Sequence, residues 1–126
     1  MNELVKQARE ARKRSYSPYS RFGVGAALRT TSGKVYLGCN VENCSYGLTV
    51  CAERVAVYNA VSDGSRDFEA LAIYTEAEDL TPPCGACRQV LWEFSKDLVI
   101  IIANHGGEEE LKLSELLPKP FDKKSF

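Results

Sequence analysis

The chain has 126 residues, 44% hydrophobic and 26% charged, a balance that suits one globular domain over residues 1–126. Its formal net charge of −1 gives no reason to expect a polyanionic partner, since a nucleic-acid surface needs a basic groove. A small, freely diffusing substrate fits better. No apolar run reaches membrane-spanning length, and the N-terminus lacks a signal peptide's apolar core, so neither membrane nor export is expected.

Residues 2–15 read as an amphipathic helix with Leu4, Val5, Ala8 and Ala11 on one face. Its Arg9, Arg12, Lys13 and Arg14 form a solvated basic face. Tyr16 to Arg21 is a turn-rich loop leading to Phe22. Gly23 to Thr31 and Lys34 to Val41 are rich in small and β-branched residues, which predicts two strands joined at Ser32-Gly33 in a hairpin. Glu42 to Val50 is a polar loop, and a helix follows from about Ala52 to Val61, ending near Asp63-Gly64. Phe68 to Thr75 alternates as a strand, a loop runs to Pro83, and Val90, Leu91 and Phe94 mark a further helix. Leu98 to Ala103 is a buried strand, Asn104 to Gly107 a turn containing the single histidine, His105, and Glu109 to Leu113 a last strand. Ser114 is placed to cap a short turn over Glu115, Leu116 and Leu117. The order α-β-β-α-β-α-β-β implies a sheet covered by helices, with the second and third helices side by side on one face.

The chemistry concentrates where those two helices begin. Cys51-Ala52-Glu53 is answered some thirty residues later by Pro83-Cys84-x-x-Cys87. A lone C-x-x-C is a weak signal, but three thiols with a carboxylate form a zinc pattern with its own proton carrier. Five cysteines, three of them in this pattern, fit a reducing cytoplasm better than a disulfide framework. Thiols bind metal as thiolates, which a helix N-terminus stabilises. Positions i and i+2 do not share a helix face, so Cys51 is expected at the cap with non-helical dihedrals if it serves one site with Glu53. Three thiolates give the metal a net negative charge, and Arg54, three residues after Cys51, is placed to withdraw some of it. Arg88 is a weaker candidate for the same task. A closed structural site completed by Cys39 or Cys44 would leave Glu53 without a use. A redox dithiol at Cys84 and Cys87 would idle both Cys51 and Glu53.

Cys-x-Glu followed by Pro-Cys-x-x-Cys is the signature of the zinc deaminases. Together with Ser17-Pro18-Tyr19-Ser20-Arg21-Phe22-Gly23-Val24-Gly25-Ala26-Ala27-Leu28, Gly38-Cys39-Asn40-Val41-Glu42-Asn43, Cys51-Ala52-Glu53-Arg54, Pro83-Cys84-Gly85-Ala86-Cys87-Arg88-Gln89-Val90 and Leu117-Pro118-x-x-Phe121, it makes nearly all of the chain resemble the small, homotetrameric-type cytidine deaminases. The resemblance implies an α/β fold, a three-layer α-β-α sandwich around a mixed five-stranded sheet. It implies hydrolytic deamination of cytidine and 2′-deoxycytidine in pyrimidine salvage. Cys51, Cys84 and Cys87 would hold one Zn²⁺ per chain, and Glu53 would carry protons from water to N3 and to the leaving amine. Asn40 and Glu42 would bond the ribose hydroxyls, Phe22 would pack beside sugar and base, and the Ala52 backbone would read the pyrimidine edge. Phe121 would reach a neighbouring subunit's site in a homotetramer. Blasticidin-type enzymes share the zinc signature, but Asn40 to Asn43 and the Phe121 ending favour cytidine. Cys44 departs from the family, which usually has a small residue such as alanine there.

Overall fold

The computed structural model describes residues 2–126. Helix α1 (Glu3–Arg12) starts where the Asn2 side chain accepts a hydrogen bond from the Leu4 amide at 2.7 Å, and it buries Leu4, Val5, Ala8 and Ala11. It stops at Arg12, short of the residue 15 expected from sequence. Arg12 Nε turns to the Gly23 carbonyl at 3.2 Å, and the Ser15 hydroxyl to Asn40 Oδ1 at 2.5 Å, which draws the chain out of the helix.

Strands β1 (Val24–Thr30) and β2 (Val35–Cys39) form the expected hairpin, pairing Ala26 with Gly38 and Leu28 with Tyr36. A single 3₁₀ turn at Tyr46–Leu48 interrupts the following loop, whose ends are drawn together by a bridge between Val41 and Val50. Helix α2 (Ala52–Ser62), strand β3 (Phe68–Thr75), helix α3 (Gly85–Phe94), and strands β4 (Val99–Asn104) and β5 (Gly107–Lys112) follow. The short helix α4 (Leu113–Leu116) starts two residues earlier than a Ser114 cap would give. Leu113 is fully buried and its amide bonds the Leu98 carbonyl, so the turn begins at Lys112, whose amide donates to Glu115 Oε1 at 3.1 Å.

The five strands lie in the order β2-β1-β3-β4-β5. β3 and β4 are parallel, which requires a crossover, and α3 supplies it. The other neighbours are antiparallel, so the sheet is mixed. Alternation along the strands divides the core. Ala26, Leu28, Leu71, Ile73, Ile100 and Ile102 pack against α2 and α3. Ala27, Ala70, Ala72, Tyr74 and Ile101 pack under α1. The result is the expected three-layer sandwich. Among the described residues no helix is long and apolar enough to cross a membrane.

Two glycines bring the helices onto the sheet. A Cβ on Gly38 would lie 2.3 Å from the Ala52 carbonyl oxygen and 2.5 Å from the Ala56 nitrogen. One on Gly25 would lie 1.9 Å from the Ala8 carbonyl oxygen. The first contact seats the start of α2, where the thiol–carboxylate pair lies. The second seats α1, on the far face.

Candidate active site

Helices α2 and α3 lie on the same face of the sheet, and their N-termini converge. Cys51 caps α2 with extended backbone (φ −71°, ψ 154°), and Cys84 caps α3 in the same way (φ −68°, ψ 167°). Neither thiol spends itself on a capping hydrogen bond. The non-helical Cys51 is what a joint site with Glu53 requires. Cys87 lies in the first turn of α3 and is buried. The three sulfurs are all within 4.8 Å of one another, with Cys51 to Cys84 at 3.8 Å and Cys84 to Cys87 at 3.5 Å.

Arg54 points back along α2, its Nη2 3.4 Å from Cys51 Sγ. The neighbouring Cys87 thiol and this guanidinium lower the Cys51 pKa, while hydrogen bonding to Cys51 and burial raise that of Cys87. Arg88 does something else. Its Nε donates to the Pro83 carbonyl and its Nη1 to the Leu116 carbonyl, both at 2.8 Å, so it ties backbone together and leaves the thiols to Arg54.

Glu53, in the first turn of α2, is 5% exposed. Burial pushes its pKa up to about 7, where a carboxyl can hold or release a proton at neutral pH. It faces a cavity of about 260 Å³ that Cys51, Cys84 and Ala52 also line, with Phe22, Asn40 and Glu42 from the loops beside β1 and β2. The sequence reading missed other members of this wall, among them Ser20, Thr49, Ile73 and Thr81. The Tyr16 to Arg21 turn and the Ser17 to Leu28 motif both contain Ser20 without giving it a role, and nothing in the local pattern marks Thr49 or Thr81.

Asn40 and Glu42 do line the cavity, but both are already engaged with the loop above it. Asn40 Oδ1 accepts from the Val24 amide at 2.9 Å and from the Ser15 hydroxyl, and its Nδ2 donates to the Phe22 carbonyl at 2.8 Å. Glu42 Oε1 accepts from the Tyr19 and Ser20 amides at 2.9 and 3.1 Å, and Oε2 from the Ser20 hydroxyl. That hydroxyl, and then the amides, hold the Glu42 pKa below the usual carboxylate value, so it is anionic at neutral pH. The loop also needs Arg21 in the left-handed region at φ 59°, a conformation that costs a non-glycine residue energy. Together these contacts place Phe22, 39% exposed, at the cavity mouth.

Phe121 does not line its own chain's cavity. It is 61% exposed, its backbone held by Gln89 on α3, its ring edge-on to Phe126 at 5.5 Å. His105 is exposed in the β4–β5 turn and does not line this cavity.

The donor set fits zinc. Among the described residues the three thiols form the one group able to hold a metal ion. Cys39, paired with Gly25, faces the α1 side of the sheet, and Cys44 is exposed, so neither joins the cluster as a fourth ligand. Three ligands with an open side toward a cavity suit a catalytic metal, whereas structural zinc takes four. A buried carboxyl, Glu53, stands at that open side, within reach of whatever the metal holds there.

Residues 1–103 match the family model described as the cytidine and deoxycytidylate deaminase zinc-binding region. The chain is 45% identical to the cytidine deaminase of Sporosarcina psychrophila, over 100% of this chain and 94% of that one. It is 49% identical to the cytidine deaminase of Halalkalibacterium halodurans, over 94% and 91% of the two chains. The crystal structure of cytidine deaminase from Burkholderia pseudomallei superposes with a TM-score of 0.91 at 46% identity, covering 96% of this chain and 100% of that one. The chain belongs to the cytidine and deoxycytidylate deaminase family.

Proposed function

We propose that the chain hydrolyses cytidine and 2′-deoxycytidine to uridine and 2′-deoxyuridine, releasing one ammonia for each water consumed. The observation that carries this reading is the buried Glu53 carboxyl on the same cavity wall as the Cys51 and Cys84 thiols. Cys51, Cys84 and Cys87 hold one zinc per chain. Zinc held there supplies Lewis acidity that makes water a nucleophile at neutral pH.

The remaining work belongs to the protein. Glu53 takes a proton from the attacking water and delivers it to N3 of the base. It then carries the second proton to the departing amine at C4. A pKa near neutrality suits both directions of transfer. Arg54 draws charge from the Cys51 sulfur, and α2 and α3 present their positive ends to the thiolates. The Ala52 backbone reads the pyrimidine edge, and Phe22 packs beside sugar and base. Asn40 keeps the Phe22 loop in place while facing the sugar. Glu42 Oε2, which takes a single hydroxyl from its own chain, retains capacity for a ribose hydroxyl. Phe121 closes the site of a neighbouring subunit in a homotetramer. The substrate class and the free thiols agree with cytoplasmic pyrimidine salvage.

Metal analysis beside an assay for ammonia release tests the reading. One zinc per chain and ammonia in step with uridine are expected from cytidine. Zinc binding with no release from cytidine or deoxycytidine overturns it. Glu42→Ala separates the sugar contact: losing a charge-assisted hydrogen bond is expected to cost about 1.5–3 kcal/mol of transition-state binding on the nucleoside and little on free cytosine. Equal loss on both would make Glu42 a support for the Tyr19–Ser20 loop alone.

A further inference from the structure

The tail after α4 is tied to the metal helix at two points. Arg88 Nη1 donates to the Leu116 carbonyl at 2.8 Å, just before the tail leaves α4. Five residues on, the Gln89 side-chain amide pairs with both polar groups of Phe121. Its Oε1 accepts from the Phe121 amide at 3.2 Å and its Nε2 donates to the Phe121 carbonyl at 2.5 Å. Between the two ties lie Pro118 and Pro120, which restrict the backbone and lack N–H groups of their own. The pairing demands an amide at this reach. A carboxylate cannot donate to the carbonyl, and asparagine is one methylene short.

The backbone of Phe121 is therefore fixed while its ring stays 61% exposed. That is an arrangement for presenting a ring, since an aromatic with no other task would gain by burial. Gln89 lies two residues beyond Cys87, on the same helix as two of the thiols. We propose that Gln89 is a positioning residue that sets the reach of Phe121 by clasping its backbone to α3, so that one helix registers both the metal ligands and the aromatic ring offered to the adjoining site. The proposal rests on the reading that Phe121 contacts substrate.

The test is Gln89→Met, which keeps length and volume but makes neither hydrogen bond. Two readouts are taken: steady-state kinetics on cytidine, and limited trypsin cleavage after Lys123 and Lys124, followed by mass spectrometry. Expected are a KM increase of about tenfold with kcat within about twofold, as losing two modest hydrogen bonds implies. Tail cleavage is expected to be several-fold faster. Adding Phe121→Ala to Gln89→Met is expected to raise KM little further, because both changes remove one interaction. Wild-type cleavage and KM in Gln89→Met, with KM raised in Phe121→Ala, overturns the clasp and leaves the Phe121 reading standing. Faster cleavage in Gln89→Met, with KM unmoved by Phe121→Ala, overturns the Phe121 reading and the positioning role with it. Fully additive KM effects overturn the coupling of the two residues.

Discussion

Glu53 shows what burial does to one carboxyl. On a solvated helix face it would stay ionised and accept no proton near neutrality. Under the α2 start, at 5% exposure, burial pushes its pKa up to about 7. Glu53→Gln preserves shape and removes the proposed proton carrier. The variant is expected to fold, bind one zinc and lose at least ~10²–10⁴ in kcat, checked by metal analysis and turnover. Loss of zinc together with activity would make Glu53 a structural member of the site. Cys44 gives the complementary case. It is exposed and outside the thiol cluster, so Cys44→Ala is expected to leave zinc content and rate nearly unchanged. A variant that purifies without metal would revive a closed four-thiolate site.

At the scale of elements, the site depends on how closely α2 sits on β2. Gly38 faces the Ala52 carbonyl across a gap that admits no Cβ. Gly38→Ala is expected to shift the α2 start, destabilise the fold by about 1–3 kcal/mol, and speed zinc loss to a chelator. Gly25→Ala makes the same kind of clash with α1 on the other face. It is expected to cost similar stability in denaturant titration and to leave zinc release at the wild-type rate. Equal zinc release from the two variants would show that the thiol cluster does not depend on the seating of α2.

The whole molecule keeps much of its aromatic surface uncovered. Tyr46 is 76% exposed and Leu48 67%, near the Tyr19 ring, with centroids of the two tyrosines 6.2 Å apart. Phe121 is exposed on its tail. An apolar surface of this kind marks a place where another molecule packs, and a further copy of this chain is the partner that the proposed homotetramer requires. Co-expression of Glu53→Gln with Phe121→Ala tests the sharing of sites. Mixed oligomers contain some sites with an intact Glu53 from one chain and an intact Phe121 from another, and those are expected to recover activity. Verified mixed oligomers without recovery would assign Phe121 to its own chain.

Much of this was legible in the sequence because it is encoded between near neighbours. Leu4, Val5, Ala8 and Ala11 reveal the buried face of α1 by spacing alone, and Ser32-Gly33 marks the β1–β2 turn. Cys51 and Glu53, two apart, required a capping thiol, and the extended Cys51 backbone agrees. Arg54, one helical turn on, met Cys51 as spacing predicts. Contacts between remote segments could not be read that way. Only the packed sheet decided that Cys39 faces α1, that Arg88 ties Pro83 to Leu116, and that Asn40 and Glu42 hold the Phe22 loop. The Gln89 pairing with Phe121 spans thirty-two residues and depends on where the tail leaves α4. Periodicity and capping are properties of a few consecutive residues. Burial and long-range hydrogen bonds arise only when distant segments are brought together, and that is the part the tertiary structure determined.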